Sequence, residues 1–241
     1  MDFEVSNSAP SFVNDLLSED LRKKAKIEES RALKSLPTIT GLEYDSRKVS
    51  EGSLFFALPG LHTDGHGFIA DAIGRGARAV VYQNELEEYR EGIHYIRVRD
   101  SRFAMSPIAD AFYGHPSRHM AVIGVTGTEG KSTTVYLIYQ LLRLLGKKAG
   151  FVSTVQRGNG LSESWNLEHQ TTPEAPVIHR LLEEMRSNGA EYAVLESSSH
   201  GLSKQTNRLG DVDFDVGVLT NITHEHLDFH GSWENYRNDK A

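Results

Sequence analysis

GVTGTEGKST, residues 124–133, decides how the rest of the chain is read. It lies between an apolar run, HMAVIGVTG (119–127), and a long stretch of helical texture, KSTTVYLIYQLLRLLG (131–146), closed by Gly146. The usual spelling of a phosphate-binding loop is Gly, four residues, then Gly-Lys-Ser/Thr. Counting back from Gly130-Lys131-Ser132 puts Val125 where the first Gly of that spelling stands. A phosphate loop nevertheless needs only three things. Glycines let backbone N–H groups approach the phosphates and supply positive φ. A helix starting at the loop lends its N-terminal partial charge. A Lys reaches the outer phosphates, and a hydroxyl helps to hold Mg²⁺. Gly127, Gly130, Lys131 and Ser132 meet these needs, with a strand before and a helix after. The missing Gly implies a shorter loop, G-T-x-G-K-S/T. An ordinary Gly-rich βα turn is the alternative, and the conjunction of strand, loop, Lys-Ser pair and long helix favours the nucleotide site.

Outward from the loop, KKAGFVST (147–154), AEYAVLESSSHG (190–201) and FDVGVLTNITHEH (214–226) read as strands running into loops, and APVIHRLLEEMRSNG (175–189) as a helix with a Gly stop. The order β-α-β-α-β-β predicts a mostly parallel sheet with ligands at the C-terminal strand ends. Upstream, SLFFAL (53–58), ARAVVY (77–82) and HYIRV (94–98) are strands, with FIADAIGRG (68–76) a helix between two of them. RFAMSPIADAFYGHPS (102–117) reads as a helix and then a linker. The chain is therefore expected to be α/β. Residues 1–38 form a tail or peripheral surface helix, 39–118 a small N-terminal domain, and 119–241 a central P-loop-type domain. SWENYRNDKA (232–241) opens a helix with Ser232 as N-cap and carries no stop signal, and the second sheet is short of strands for its type. The expectation is a truncated central domain, with a frayed last helix that leaves Lys240 exposed.

Composition narrows the partners. The 241 residues carry a net charge of -7, with 39% hydrophobic and 24% charged residues, which suits a soluble globular protein and disfavours nucleic acid. A phosphate ligand must be held locally by a few basic groups and backbone donors. The absence of cysteine excludes disulfides, thiol chemistry and Cys-ligated zinc, and fits a cytoplasmic setting. No apolar run approaches the ~18 residues of a membrane span.

The short loop resembles the ATP loop of the Mur ligases and of their folylpolyglutamate synthetase relatives. YDSRKVSEGSLFFALPGLHTDGHGFI (44–69) is similar to the UDP-binding N-terminal domain of the Mur ligases. TTPEA (171–175), ESSSHGL (196–202), TNITHEHLDFHG (220–231) and YRNDK (236–240) are similar to their central domain. Within the family the motifs resemble the ligase that adds the third residue of the peptidoglycan stem peptide. DSR and DGH alone also suit the ligase that adds D-Ala-D-Ala, while TTPEA with SSHGL and LDFHG favours the former. The remaining alternatives are a folylpolyglutamate synthetase, disfavoured by the separate DSR…DGH domain, and a nucleotide-binding fragment without catalysis.

The resemblance implies an acyl phosphate made from a carboxylate and ATP, then attack by an amine. It implies UDP-N-acetylmuramoyl-dipeptide, ATP and a diamino acid as substrates. Lys131 would hold the β/γ-phosphates, with Gly127, Thr128, Glu129, Gly130, Ser132, Thr133 and Asn221 also at the ATP. Ser132 and Glu196 would bind the first Mg²⁺; His226 and Lys240, the latter carbamylated by CO₂, would serve the second. Tyr44, Ser46, Leu61, His62 and Thr63 match the uridine-diphosphate contacts, and Thr171, Thr172, Ser198 and Arg208 the muramoyl-peptide contacts. His200, His224 and His230 read as structural or as supports behind the residues that touch the ligands. Three departures stand out: Glu225-His226 replaces Asp-His, Glu129 replaces Asn, and LSKQTNR (202–208) is two residues longer than the common loop. The 241-residue chain by itself is expected to be inactive.

Overall fold

The computed structural model describes residues 18–31, 37–60, 63–166, 170–223 and 227–240. The chain divides into two compact units at Phe112/Tyr113.

In the first unit, α1 (Glu19–Lys24) is followed by β1 (Ile27–Arg31), β2 (Gly41–Glu43), β3 (Ser53–Phe56), α2 (Ile69–Gly74), β4 (Ala79–Tyr82), β5 (His94–Val98) and α3 (Ser101–Phe112). The sheet order is β1-β5-β4-β3-β2, with β2 to β5 parallel and β1 antiparallel to β5. Every residue of β3 and β4 is buried, which is why SLFF and AVVY are continuous apolar runs rather than alternating ones. Ile69 and Ala72 of α2 pack on Phe55, Val80 and Tyr82.

The reading of residues 1–38 as a tail or one surface helix is corrected where they are described. The helix stops at Lys24, Lys26 takes φ 51°, and residues 27–31 become a strand. The free edge of β5 offers unpaired N–H and C=O groups, and filling it outweighs the helix propensity of this charged stretch. The Arg31 guanidinium lies 3.7 Å over the Tyr89 ring and fixes the new strand's end.

The second unit runs β6 (Ala121–Thr126), α4 (Lys131–Leu144), β7 (Ala149–Val152), β8 (Gln156–Gly158), β9 (Glu163–Trp165), α5 (Ala175–Ser187), β10 (Tyr192–Glu196), α6 (Ser199–Leu202), β11 (Val216–Leu219), α7 (Leu227–His230) and α8 (Trp233–Lys240). The order is β11-β6-β10-β7-β8-β9. The first four strands are parallel, and β8 and β9 add an antiparallel hairpin. Residues 116–119 form a 3-10 turn packed against α5, so the linker expected to end the first domain belongs to the second unit. On one face of the sheet Ile178, Leu181, Leu182 and Met185 of α5 cover Val122, Val152, Ala193 and Leu195. On the other, Val135 and Tyr139 of α4 cover Val125, Phe151 and Val194. Among the described residues no helix is long and apolar enough to cross a membrane.

One buried titratable group sets a pH dependence. His179 on α5 is 0% exposed, and burial, with the nearby His115, pushes its pKa down from 6.5 to about 3. The unfolded chain takes up this proton as pH falls through 6.5 and the folded chain does not. His179 therefore contributes stability that is complete above 6.5 and is lost as pH falls toward about 3. Urea titrations between neutral pH and about pH 4 should show stability falling by up to ~1.4 kcal/mol per pH unit from this group. His179→Leu should flatten that slope, and parallel slopes in the two proteins refute the assignment.

Candidate functional site

Positive-φ glycines shape the turn after β6. Gly127 has φ 149° and a Cβ there would collide with Thr220 Oγ1; Gly130 has φ 80° and is the N-cap of α4. The first helical bond runs from Thr134 N–H to Gly130 O at 2.9 Å. The N–H groups of Lys131, Ser132 and Thr133 therefore open the helix without an intrahelical acceptor, in the place where an anion binds. Lys131 Nζ donates to Thr128 O at 2.7 Å, so its ammonium lies over the loop.

Glu196, at the tip of β10, is 3% exposed. Its Oε2 accepts from Ser132 Oγ at 2.9 Å and from Thr154 N–H at 2.7 Å. A hydroxyl and a carboxylate side by side are hard oxygen donors. They suit Mg²⁺, which takes few protein ligands and completes its shell with phosphates and water. Among the described residues no three His, Cys, Asp or Glu side chains cluster as a metal cage.

Lys240 is 7% exposed, which corrects the expectation of a frayed, exposed terminus. Its Nζ donates to Gly127 O at 2.7 Å and lies 3.5 Å from Thr126 Oγ1. The helix that carries it is held by packing and polar contacts together. Ser232 Oγ accepts the Asn235 N–H at 3.2 Å, and Asn235 Nδ2 donates to His230 O at 2.9 Å. His230 Nδ1 pairs with Asp239 Oδ2 at 2.8 Å, and the fully buried Tyr236 places its hydroxyl 2.9 Å from Thr128 Oγ1.

A cavity of about 350 Å³ opens beside these groups. Gly127, Lys131, Thr171, Thr172, Ser198, Arg208 and Lys240, all expected at the site, line it. Thr172 is its hub: Oγ1 donates to Glu196 O at 3.0 Å and accepts from Ser198 N–H and Oγ, both at 2.9 Å. Arg208 donates from Nη1 to Thr172 O at 2.9 Å and pairs through Nη2 with Glu174 Oε1 at 3.0 Å. The longer 202–208 loop thus still delivers Arg208. Gln170, Ser199, His200 and Tyr236 also line the cavity. Gln170 and Ser199 were missed, and their adjacency to TTPEA and within ESSSHGL was the available signal.

Other expected residues lie beside the cavity rather than on its wall. Thr133 is exposed, and Ser132 faces Glu196. Thr128 is buried, with Oγ1 accepting the Thr223 N–H at 2.9 Å. Glu129 is exposed and absent from the cavity wall, so its carboxylate is not directed into the cavity that Lys131 lines. Asn221 bonds the Glu129 backbone. His226 and His224 fall outside the described residues.

In the first unit Ser46 is buried and opens the 3-10 turn Ser46–Lys48, Tyr44 is half-buried and Thr63 is exposed. Leu61 and His62 fall outside the described residues. The acidic residues of the two motifs here are structural. Asp45 accepts the Arg47 N–H at 3.1 Å and pairs with its guanidinium at 2.7 Å; the guanidinium holds the Asp45 carboxyl below its usual range. Asp64 is likewise lowered, first by the His66 N–H. His66 Nε2 accepts the Gln83 and Asn84 N–H groups at 3.1 and 3.2 Å, so its proton sits on Nδ1 and is donated to Asp64 at 2.6 Å.

The fold and motifs have counterparts in known proteins. Residues 38–113 match the model of the Mur ligase family, catalytic domain, and residues 125–241 that of the Mur ligase middle domain. The chain is 56% identical over 203 residues to a UDP-N-acetylmuramyl-tripeptide synthetase of Treponema pallidum, covering 84% of this chain and 38% of that protein. It is 45% identical over 205 residues to a UDP-N-acetylmuramoyl-L-alanyl-D-glutamate--2,6-diaminopimelate ligase of Geobacillus kaustophilus, covering 85% and 40%. The chain thus spans about two fifths of the length of these relatives. A solved structure of a UDP-N-acetylmuramoyl-L-alanyl-D-glutamate--2,6-diaminopimelate ligase superposes with TM-score 0.72 at 28% identity, over 91% of this chain and 43% of that one. The Thermotoga maritima MurF ligase in complex with ADP superposes with TM-score 0.60 at 25% identity, over 86% and 43%. Two domain models of one family, in chain order over most of the sequence, place this chain in the Mur ligase family.

Proposed function

We propose that the protein is an ATP- and Mg²⁺-dependent amide ligase of peptidoglycan precursor synthesis, working in the cytoplasm. It adds a diamino acid, as the third stem residue, to UDP-N-acetylmuramoyl-L-Ala-D-Glu. The observation that carries this reading is one cavity lined by Lys131 of the phosphate loop, Lys240 and the Thr172–Ser198–Arg208 cluster, with Glu196 joined to it through the bond of its backbone O to Thr172 and to Ser132 through its side chain. The relatives named tripeptide synthetase favour this reaction over the addition of D-Ala-D-Ala.

In the proposed reaction a substrate carboxylate oxygen attacks the γ-phosphorus of ATP and ADP leaves. The amine then attacks the acyl carbon and phosphate leaves. Such chemistry is driven by positioning and charge neutralisation. Lys131 exchanges its bond to Thr128 O for phosphate oxygens, and the first-turn N–H groups of α4 point at the same anion. Ser132 and Glu196 would hold a Mg²⁺ ion, which would supply charge neutralisation at the phosphates when bound. The Arg208 fork, held flat by Thr172 O and Glu174, orients the muramoyl-peptide beside Thr171 and Ser198. Lys240 as an ammonium donates to Gly127 O and repels a cation. Its neutral amine reacting with CO₂ gives a carbamate and a proton, and the anion so formed suits the second Mg²⁺ together with His226. Ser46, Tyr44, Leu61, His62 and Thr63 hold the uridine diphosphate.

Two substitutions test this reading. Lys131→Ala should weaken ATP binding by roughly tenfold or more, since a charge-assisted contact contributes ~1.5–3 kcal/mol. Unchanged nucleotide affinity in a folded variant returns GVTGTEGKST to an ordinary turn. In an enzyme of the relatives' full length, Lys240→Ala should abolish turnover while UDP-substrate affinity stays at the parental value. Parental turnover in that variant rules out the carbamate.

A further inference from the structure

The parallel ladder between β6 and β11 does not stop where the strands end. Thr220 N–H donates to Thr126 O at 3.0 Å, and Thr128 N–H donates to Asn221 O at 2.9 Å. One residue further the Asn221 side chain takes over the pairing. Its Oδ1 accepts the Glu129 N–H at 3.0 Å and its Nδ2 donates to Glu129 O at 3.2 Å. Thr220 Oγ1 donates to the same carbonyl at 2.7 Å. A carboxamide offers one acceptor and one donor face, as a peptide does, so Asn221 acts on Glu129 like an added strand residue. It does so from outside the cavity, whose wall does not include it.

We propose that Asn221, assisted by Thr220, is a positioning residue that holds the phosphate loop in its nucleotide-binding shape before nucleotide arrives, acting through the Glu129 peptide. The proposal rests on the phosphate-loop reading above and replaces the expected direct contact between Asn221 and ATP. Its chemistry is specific. The Thr128 and Glu129 amides are already engaged by protein acceptors, so the phosphates are left to the N–H groups at the start of α4 and to Lys131. The same bonds fix the Glu129 peptide with its side chain exposed. A loop not fixed in this way must order itself when ATP binds, and that ordering lowers affinity.

The test is amide hydrogen exchange at Glu129 in the nucleotide-free 241-residue chain, together with affinities for ATP and for the UDP-substrate. Asn221→Ala should speed Glu129 exchange by about fivefold or more and weaken ATP binding by a similar factor, the size of one net hydrogen bond. UDP-substrate affinity should not move. Thr220→Val, which removes only the hydroxyl, should act in the same direction to a smaller extent, and it carries the test if Asn221→Ala fails to fold. Weaker ATP binding with unchanged exchange in the nucleotide-free chain means direct contact and overturns the proposal. Faster exchange throughout residues 113–241 makes Asn221 a general stability residue and also overturns it. Lys131→Ala separates the two levels of inference. If it weakens ATP binding and Asn221→Ala does not, the positioning role fails. If neither variant weakens ATP binding, the phosphate-loop reading fails.

Discussion

The register of β6 against its two parallel neighbours is the constraint on which the site depends. Glu196 pairs with Val125 on one side and Leu219 with Thr126 on the other, so three strand tips finish at nearly the same level. The loops that leave them, at 127–130, 197–198 and 220–223, are therefore neighbours without further design. A slip by one residue would turn Glu196 to the opposite face of the sheet and separate it from Ser132. The burial of both sheet faces by α4 and α5 makes that slip costly, because every apolar residue of β6 and β10 would move with it.

The second consequence is electrostatic. The chain is acidic, yet three cations surround one cavity, Lys131, Arg208 and Lys240, which suits the anionic ligand proposed for it. Each is held by an oxygen of the second unit: Lys131 by Thr128 O, Lys240 by Gly127 O, and Arg208 by Thr172 O and Glu174. These contacts fix long side chains that otherwise lose rotamer freedom when a ligand arrives. Glu196 is the counterpart, a buried carboxylate supported by one hydroxyl and one backbone N–H. Its charge in a nearly dry place calls for a cation, which is the chemical argument for Mg²⁺ at this point.

Much of this was legible in the residues. Parallel strands buried on both faces are written as unbroken apolar runs, so SLFF, AVVY and AGFV declare themselves. The loop, the helix behind it and the Ser232 cap follow from local chemistry. What stayed hidden depends on partners distant in sequence. β1 has helical composition and becomes a strand because β5 has an open edge. QRG and ESW carry no apolar alternation, so the β8–β9 hairpin leaves no pattern to read. Motif resemblance located Asn221 and Lys240 but could not say what they touch. Asn221 meets a loop peptide 92 positions away in sequence, and Lys240 a loop carbonyl 113 positions away.

The chemistry proposed for this site is that its loop delivers phosphate to a substrate carboxylate rather than to water. Labelling that carboxylate with a heavy oxygen isotope tests it directly. An enzyme of the relatives' full length, given labelled UDP-N-acetylmuramoyl-L-Ala-D-Glu, ATP and the diamino acid, should release phosphate that carries a labelled oxygen. Unlabelled phosphate released while the amide product accumulates would contradict the acyl phosphate and, with it, the role assigned to this site.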